Sequence, residues 1–284
     1  MPASKSTAKP SPGAKAKKPA QAAQKTGKAL PAPKAGKAAP TLAAQVESAL
    51  TWLKSHGSEQ GRKGMARYAI PSDKAFGVSM KDMQALGKRL GRSHELAQGL
   101  WDTGWHEARM VTAFVGEPER LTAAQMDRWC RELDNWAICD TLCFFLFDRT
   151  PLAWGRIEPW SRRKGELEKR TAFALLASLA GHDKEASDEQ FVEGLRLVER
   201  AAPDERNFVK KGVSWALRRI GRRNRALHAA ALAVAKRLAA SAEPGARWVG
   251  KDALRDLTRP AVVKALASSS SSRTARAGPK AGRS

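Results

Sequence analysis

The chain has 284 residues and a formal net charge of +23, and its sequence pI is near 10.5. This length allows one large domain or two small ones. Three cysteines are too few for a disulfide framework, and no apolar run reaches the roughly 18 residues that a membrane span needs. The N-terminus also lacks the continuous apolar stretch of a secretory signal, so we expect neither a secreted domain nor a membrane protein.

Both ends of the chain are poor in large apolar residues and rich in positive charge. Residues 1–40 contain nine lysines and no acidic residue, and residues 267–284 combine a run of serines with four basic residues. Such segments cannot offset the entropy cost of ordering, so we expect both tails to be disordered. We expect a basic tail of this kind to bind a polyanion non-specifically. The alternative is that the tail only increases solubility. The region between the tails, 41–266, keeps a net charge of about +10.

The region between the tails has helical patterning throughout. Four segments bounded by helix-capping residues come first, at 79–91, 93–104, 105–116 and 122–133. The predicted N-caps are Ser79, Ser93 and Thr122, and the predicted C-terminal stops are Gly91, Gly104 and Gly116. Five further helical segments follow at 165–181, 187–201, 205–222, 224–241 and 245–258. No segment has the alternation of a strand, so the predicted class is all-α.

Every second helix of this series carries arginines and resembles the others. These helices begin near Trp105, Trp136, Gly165, Glu205 and Ala246, at intervals of roughly 30 to 40 residues. Stacked helix pairs of this length are typical of HEAT-like repeats, which present an extended concave surface. We therefore predict an all-α, right-handed solenoid of HEAT-like repeats with a basic concave face, and an ordinary helical bundle is the alternative.

The segment at 134–147, DNWAICDTLCFFLF, contains a carboxylate within an otherwise apolar helix. One stripe of this helix is predicted to carry Trp136, Asp140, Cys143 and Phe147. Trp136 and Asp140 are neighbours because residues i and i+4 face each other on a helix. An aromatic face beside a carboxylate favours a cation. The alternative is a structural Asp140 paired with an arginine of the next repeat, for which Arg170 is the best candidate.

The helix at 204–224, DERNFVKKGVSWALRRIGRRN, has an apolar stripe and a cationic stripe. The apolar stripe consists of Val209, Val213, Ala216 and Ile220. The other stripe, about 200° away on the helix, consists of Lys211, Trp215, Arg218 and Arg222. Trp215 is therefore expected among cations and away from the core, unless a neighbouring helix covers that face. An aromatic ring among cations suits a nucleic acid, because charges bind phosphates and the ring stacks on a sugar or base.

Four segments resemble the AlkD-type DNA glycosylases, a family of HEAT-like-repeat DNA alkylation repair proteins. They are HEARMVTAF at 106–114, LDNWAICDTLC at 133–143, EKRTAFALLASLA at 168–180 and DERNFVKKGVSWALRRIGRRN at 204–224. The resemblance covers about residues 65–258 and neither tail. By this resemblance Trp136 and Trp215 match paired active-site tryptophans and Asp140 matches the catalytic carboxylate. Arg170 matches an arginine that contacts DNA at the lesion.

The resemblance implies that the chain excises cationic N3- or N7-alkylated purines. Such a purine carries a positive charge, so its glycosidic bond breaks with little protonation of the leaving group. Positive charge then develops on the deoxyribose, and a carboxylate such as Asp140 stabilises it. The family is thought not to enclose the flipped base tightly, which implies tolerance of bulky adducts. Because no lysine stands out as a Schiff-base nucleophile, we expect a monofunctional 3-methyladenine/7-methylguanine-type glycosylase that leaves an abasic site.

The expected partner is double-stranded DNA with alkylated bases, contacted through its backbone by Lys211, Arg218 and Arg222. Two alternatives stay open, a non-catalytic HEAT-repeat module for damaged or branched DNA and a protein-interaction scaffold, which the basic middle region disfavours. Cys139 and Cys143 have helical spacing, but no nearby histidine completes a zinc set, so we expect no metal and no cofactor. We expect a monomer in the bacterial cytoplasm, associated with the nucleoid and not with a membrane.

Overall fold

Helices account for most of the residues that the computed structural model describes, which are 40–276. No strand occurs in this part of the chain, in agreement with the all-α prediction. The predicted tail at 1–40 lies outside the described residues except for Pro40. The predicted tail at 267–284 overlaps the last helix, which continues to Arg276, and its remainder lies outside the described residues.

The described chain forms fourteen α-helices and two single-turn 3-10 helices. The α-helices are α1 (Leu42–Ser55), α2 (Glu59–Ala66), α3 (Met80–Leu90), α4 (His94–Asp102), α5 (His106–Val115), α6 (Ala123–Arg131), α7 (Trp136–Phe145), α8 (Ala153–Ser161), α9 (Glu166–His182), α10 (Asp188–Ala201), α11 (Asn207–Ile220), α12 (Arg225–Ala239), α13 (Pro244–Leu257) and α14 (Pro260–Arg276). The 3-10 helices are Pro118–Arg120 and Phe147–Arg149. Within residues 40–276, no helix combines the length and the apolar character that crossing a membrane requires.

The predicted capping residues begin and end their helices as expected. A backbone N–H three residues on donates to the hydroxyl of each predicted N-cap, Ser79, Ser93 and Thr122. Gly91 and Gly104 follow their helices with φ of 75° and 68°, a left-handed conformation that favours glycine. Gly116 follows α5 with extended backbone. Each of the three N-cap hydrogen bonds is local, because its donor lies only three residues along the chain.

The helices α4 to α13 form two layers. We call α5, α7, α9, α11 and α13 the first layer, because each packs against the next. Helices α4, α6, α8, α10 and α12 pack against the first layer from one side and form the second layer. The first-layer helices begin at His106, Trp136, Glu166, Asn207 and Pro244, close to the positions predicted from the repeat. This arrangement confirms the HEAT-like solenoid, and the charge of its concave face stays a prediction.

Helix α9 is the deeply buried centre of the first layer. It packs against α7 and α11 on either side and against α8 of the second layer. Every residue from 170 to 180 is buried, which is the pattern of a helix enclosed on all faces. Arg170 is the only charged residue in this stretch, so its guanidinium needs a partner within the protein.

Candidate active site

Helix α7 presents three side chains of the candidate site in succession. Trp136, Asp140 and Phe144 lie four residues apart, which places them above one another on one face of the helix. Asn135 precedes the helix as its N-cap, and its Oδ1 accepts hydrogen bonds from two backbone N–H groups at 3.0 and 3.1 Å. This cap makes Trp136 the first residue of the helix and Asp140 a member of its second turn.

Of the other two residues predicted to share the face of Asp140, Cys143 faces α9 as Asp140 does, whereas the prediction for Phe147 was wrong. Cys143 is buried between α7 and α9, where its Sγ lies 3.7 Å from the backbone oxygen of Thr171. Helix α7 ends at Phe145, so Phe147 lies in the following 3-10 turn and points into the core. Helical spacing does not extend past the end of a helix. Phe144, which the sequence analysis passed over, is the half-buried aromatic next to Asp140.

Asp140 forms a bidentate ion pair with Arg170 of α9. Arg170 donates from Nε to Oδ1 at 3.0 Å and from Nη2 to Oδ2 at 2.8 Å. The remaining guanidinium nitrogen, Nη1, donates to the backbone oxygen of Phe208 at 2.9 Å. The Arg170 side chain is only 7% exposed, whereas that of Asp140 is 20% exposed. The pair therefore joins three consecutive first-layer helices and keeps part of the carboxylate accessible.

Burial affects both members of this ion pair. Removal from water raises the pKa of Asp140, and the charge and hydrogen bonds of Arg170 oppose that rise without cancelling it. For Arg170, burial lowers the pKa of the guanidinium, but attraction to Asp140 outweighs burial and leaves it raised. A carboxylate that water solvates poorly interacts strongly with any further positive charge brought next to it.

Two adjacent clefts lie on either side of Arg170. The first, which we call the Trp136 cleft, has a volume of about 390 Å³ and includes Tyr68, Trp136, Arg170, Phe208 and Lys211 in its lining. The second, the Asp140 cleft, has a volume of about 370 Å³ and is lined by Asp140, Arg170, Lys211, Trp215, Arg218, Trp248 and Asp252. The two predicted tryptophans therefore line neighbouring clefts that share Arg170 and Lys211.

Trp215 is half-buried because α7 covers part of its face. Its ring stacks on Phe144 with centroids 5.6 Å apart and an angle of 7° between the planes. The apolar stripe predicted for α11 is fully buried, as expected. Trp215 therefore lies away from the apolar stripe, as predicted. Phe144 of the neighbouring helix α7 partly covers its ring, which the periodicity of α11 alone could not predict.

Trp136 is anchored at the opposite end of the site. Its indole Nε1 donates a hydrogen bond to the backbone oxygen of Tyr68 at 2.8 Å. The guanidinium carbon of Arg170 lies 5.9 Å from the centre of its ring. The Tyr68 side chain is 64% exposed beside it, so the Trp136 cleft has an aromatic rim formed by the segment before α3.

The three predicted DNA-backbone cations have different surroundings. Lys211 is exposed and forms no ion pair within residues 40–276. Arg218 lies 3.6 Å from a carboxylate oxygen of Asp252, and its side chain is 32% exposed. Arg222 binds both carboxylate oxygens of Asp256, which is nearly buried. Lys211 and Arg218 line the Asp140 cleft, whereas Arg222 lies outside it. Lys211 is therefore the freer of the two predicted cations at this cleft.

Two further residues, Trp248 and Asp252, line the Asp140 cleft and were not predicted from the sequence. They lie on α13 with the same W-x-x-x-D spacing as Trp136 and Asp140 on α7. This repeated motif is the sequence feature from which they could have been predicted. Trp248 is 37% exposed, and Lys210 Nζ lies 5.3 Å from its ring centre. Ser214 donates its hydroxyl hydrogen to Asp252 at 2.6 Å.

The cysteines and acidic residues do not form a metal site in the described part of the chain. Within residues 40–276, no group of three or more His, Cys, Asp or Glu side chains is arranged to hold a metal ion. Cys130, Cys139 and Cys143 are buried and unpaired by disulfides. Burial raises the pKa of the Cys130 thiol to about 12, and it raises the pKa of Cys143 as well. The Cys130 and Cys143 thiols are therefore protonated and poor nucleophiles.

Comparison with known structures supports the architecture. The fold is similar to a solved structure described as "A new family of proteins related to the HEAT-like repeat DNA glycosylases with affinity for branched DNA structures". The TM-score is 0.63 with 17% sequence identity, over 74% of this chain and 94% of that chain. At this level of identity the similarity concerns the fold alone.

A designed armadillo repeat protein also aligns, with 16% identity over 76% of this chain and 93% of that chain, but its TM-score of 0.28 supports no structural argument. No curated protein sequence matches the chain significantly. Residues 49–257 match the sequence model of the family described as "DNA alkylation repair enzyme". Because this match extends over most of the chain, the protein belongs to the DNA alkylation repair enzyme family.

Proposed function

We propose that the protein is a monofunctional DNA glycosylase that hydrolyses the N-glycosidic bond of cationic N3- or N7-alkylated purines in duplex DNA. The observation that carries this proposal is the position of Asp140. Its carboxylate lies at the wall of a cleft, is oriented by two hydrogen bonds from Arg170 and keeps 20% of its side chain exposed. A fixed, poorly solvated carboxylate of this kind is suited to stabilising a positive charge that develops on a deoxyribose.

The reaction needs two things from the protein, a negative charge near the sugar and a position for the attacking water. Each Asp140 oxygen accepts one hydrogen bond from Arg170, which leaves lone pairs free on both oxygens. One oxygen can face the deoxyribose while the other accepts a hydrogen bond from water. Arg170 is the positioning residue, because it holds the carboxylate plane through two parallel hydrogen bonds.

The tryptophans would hold the DNA strand on either side of the carboxylate. Trp215 and Trp136 offer half-exposed aromatic faces in the two adjacent clefts, and Lys211 lies between these clefts as an exposed cation. Aromatic faces pack on sugars or bases and attract cations, and lysine neutralises a phosphate. This combination favours an extrahelical nucleotide whose alkylated base remains positively charged, bound by a monomer.

The direct experiment measures base release from duplex DNA that contains 7-methylguanine. The proposal predicts free 7-methylguanine in the supernatant and an equal amount of strand breakage only after alkaline treatment, since a monofunctional enzyme leaves an abasic site intact. Strand breakage without alkali would contradict the monofunctional assignment. Absence of base release under single-turnover conditions with excess protein would contradict the glycosylase itself.

A second candidate function is a non-catalytic module that binds damaged or branched DNA. It is favoured by one observation, namely that Arg170 already neutralises Asp140 and thereby weakens its field at the sugar. The structural neighbour is described as having affinity for branched DNA, which indicates the kind of DNA to test for this alternative. This module would bind a four-way junction at least as tightly as a duplex with 7-methylguanine and would release no base. The glycosylase would release base whatever its junction affinity.

A further inference from the structure

A separate basic cavity lies where α9 and α11 end. It has a volume of about 580 Å³ and lies between the turn after α9 and the turn after α11. We call it the edge cavity. None of its lining residues lines the Asp140 cleft, so it belongs to a different part of the surface.

Positive charge dominates the edge cavity. The cationic side chains that line it are Lys184, Arg219, Arg222 and Arg223, and its one acidic lining residue is Asp188. Both oxygens of Asp188 accept hydrogen bonds from the Asn224 side chain, at 2.8 and 3.0 Å. The carboxylate is thus bound by the turn after α11. Although Arg222 is already paired with Asp256, the remaining cations leave the cavity with an excess of positive charge.

Two of these cations have no acidic partner. Within residues 40–276, neither Arg219 nor Lys184 forms an ion pair. Arg219 Nε donates only a long hydrogen bond, 3.5 Å, to the backbone oxygen of Ala177, and Lys184 donates to the backbone oxygen of Gly181. Both side chains therefore keep donors available for a ligand, because a guanidinium has five N–H groups and an ammonium has three.

The surroundings of Arg219 disfavour the positive charge of its guanidinium. Burial lowers the pKa of its guanidinium, and the nearby positive charge of Arg222 lowers it further. Repulsion between neighbouring cations is relieved when an anion binds between them. A half-buried arginine beside other cations and without a carboxylate is therefore arranged for an anion from outside the chain.

The backbone is shaped to admit the Arg219 side chain. A Cβ atom built on Gly181 would lie 1.9 Å from Arg219 Nη2, so any larger residue would displace the guanidinium. Glycine at 181 allows the side chain to lie directly against the end of α9. The guanidinium therefore lies at the wall of the edge cavity, in space that a side chain at position 181 would occupy.

We propose that the edge cavity binds a phosphate group. Guanidinium groups match the geometry of phosphate oxygens through paired hydrogen bonds, and several cations around one site suit a doubly charged or bridging anion. Two sources supply this chemistry, the backbone of bound DNA and a free phosphate or mononucleotide. The DNA source rests on the function proposed above, whereas the phosphate site itself does not.

The first test titrates the full chain with inorganic phosphate in a chloride buffer by calorimetry. Arg219→Gln should weaken phosphate binding by about tenfold or more, because it removes a charge-assisted donor pair. Gly181→Ala should weaken it as well, although it leaves the net charge unchanged. The matched control is Arg237→Gln, which removes one positive charge from an exposed side chain paired with Glu199 and should have no effect.

Equal phosphate affinity in the wild type, Arg219→Gln and Gly181→Ala would overturn the proposal, provided that circular dichroism shows intact folds. Should Arg219→Gln fail to fold, Lys184→Gln gives the same test, because Lys184 is exposed in a turn. No difference between that variant and the wild type would equally overturn the proposal.

The second test separates the two sources by the salt dependence of binding to undamaged duplex DNA. If the phosphate belongs to the DNA backbone, Arg219→Gln should lower the slope of log K against log salt concentration by about 0.9. An unchanged slope with lost phosphate affinity would assign the site to a free phosphate or mononucleotide. Failure of the glycosylase assay leaves the phosphate titration untouched, so the two proposals can fail separately.

Discussion

The W-x-x-x-D spacing occurs at both sides of the Asp140 cleft, on α7 and on α13, but the two carboxylates have different partners. Asp140 receives two hydrogen bonds from Arg170, whose side chain is 7% exposed. Asp252 accepts hydrogen bonds from Ser214 and from Arg255, whose side chain is 71% exposed, and lies 3.6 Å from Arg218, whose side chain is 32% exposed. The two carboxylates are about equally buried, so the same spacing produces one carboxylate whose arginine is enclosed and one whose two arginines are accessible to water and salt.

The spacing places an aromatic ring beside a carboxylate, and the neighbouring helix determines what that carboxylate can do. Arg170 extends from α9, which is buried on all faces, whereas Arg218 extends from α11 at the rim of the cleft. Electrostatic effects are large where water is excluded and small where it is not. The ion pair of Asp140 is enclosed on the arginine side as well, whereas the arginines that bind Asp252 are exposed, and we therefore expect the two sites to respond differently to equivalent substitutions.

The largest difference is expected from removing each arginine. Arg170→Met strands the Asp140 carboxylate in a buried site and should lower the free energy of unfolding by about 3–5 kcal/mol. Arg218→Met removes a screened partner of Asp252 and should cost about 0–1 kcal/mol. Urea denaturation followed by circular dichroism measures both values.

A double variant separates the charge effect from packing. Combining Asp140→Asn with Arg170→Met removes both charges and should restore part of the stability that Arg170→Met loses, because the stranded charge is gone. Equal losses for Arg170→Met and Arg218→Met would show that the Asp140 pair is as well solvated as the Asp252 pair.

The tryptophans provide a second contrast. Trp215→Ala removes an aromatic face beside Asp140 and should weaken binding of a duplex with a flipped nucleotide by about 1–3 kcal/mol. Trp248→Ala should have less than half that effect, because Lys210 already lies over its ring. Fluorescence anisotropy with a labelled duplex compares the binding affinities of the variants. A stronger effect of Trp248→Ala would indicate that the DNA strand lies closer to α13 than proposed.

The smallest expected difference concerns the cations of α11. Lys211 has no acidic partner among residues 40–276, so Lys211→Ala should lower the salt slope of duplex binding by about 0.9. Arg222 is bound to Asp256 and should contribute a smaller change, because its charge is already compensated. Equal changes for Lys211→Ala and Arg222→Ala would mean that DNA displaces Asp256 from Arg222.

Much of the fold could be predicted from residues that act locally. Ser79 and Ser93 begin helices because each hydroxyl accepts a hydrogen bond from a backbone N–H three residues further on. Gly91 ends a helix in the left-handed conformation. Both features can be predicted from a few neighbouring residues. The apolar stripe of α11 follows from helical periodicity alone. The positions of the first-layer helices follow from the repeat, because each repeat must bury its apolar face against the next.

The missing parts of the site depend on contacts between helices. Phe144 covers Trp215, and no periodicity within α7 or α11 indicates that the two rings meet. Phe147 was placed wrongly because a helical wheel assumes that the helix continues, whereas α7 ends at Phe145. Trp248 and Asp252 were detectable by their spacing, but only the packing of α13 against α11 brings them to the cleft.

The decisive measurement compares Asp140→Asn with Asp252→Asn in single-turnover release of 7-methylguanine from duplex DNA. Both substitutions nearly keep the shape of the side chain, replace one accepting oxygen by a donating amide group, and remove one charge from the same cleft. Asp140→Asn should slow excision by roughly 10²–10³-fold, since removing one preorganised electrostatic group raises the barrier by about 3–4 kcal/mol. Asp252→Asn should change the rate by less than about fivefold, because two exposed arginines, Arg218 and Arg255, already compensate its charge. Wild-type excision by Asp140→Asn would contradict the catalytic role of this carboxylate.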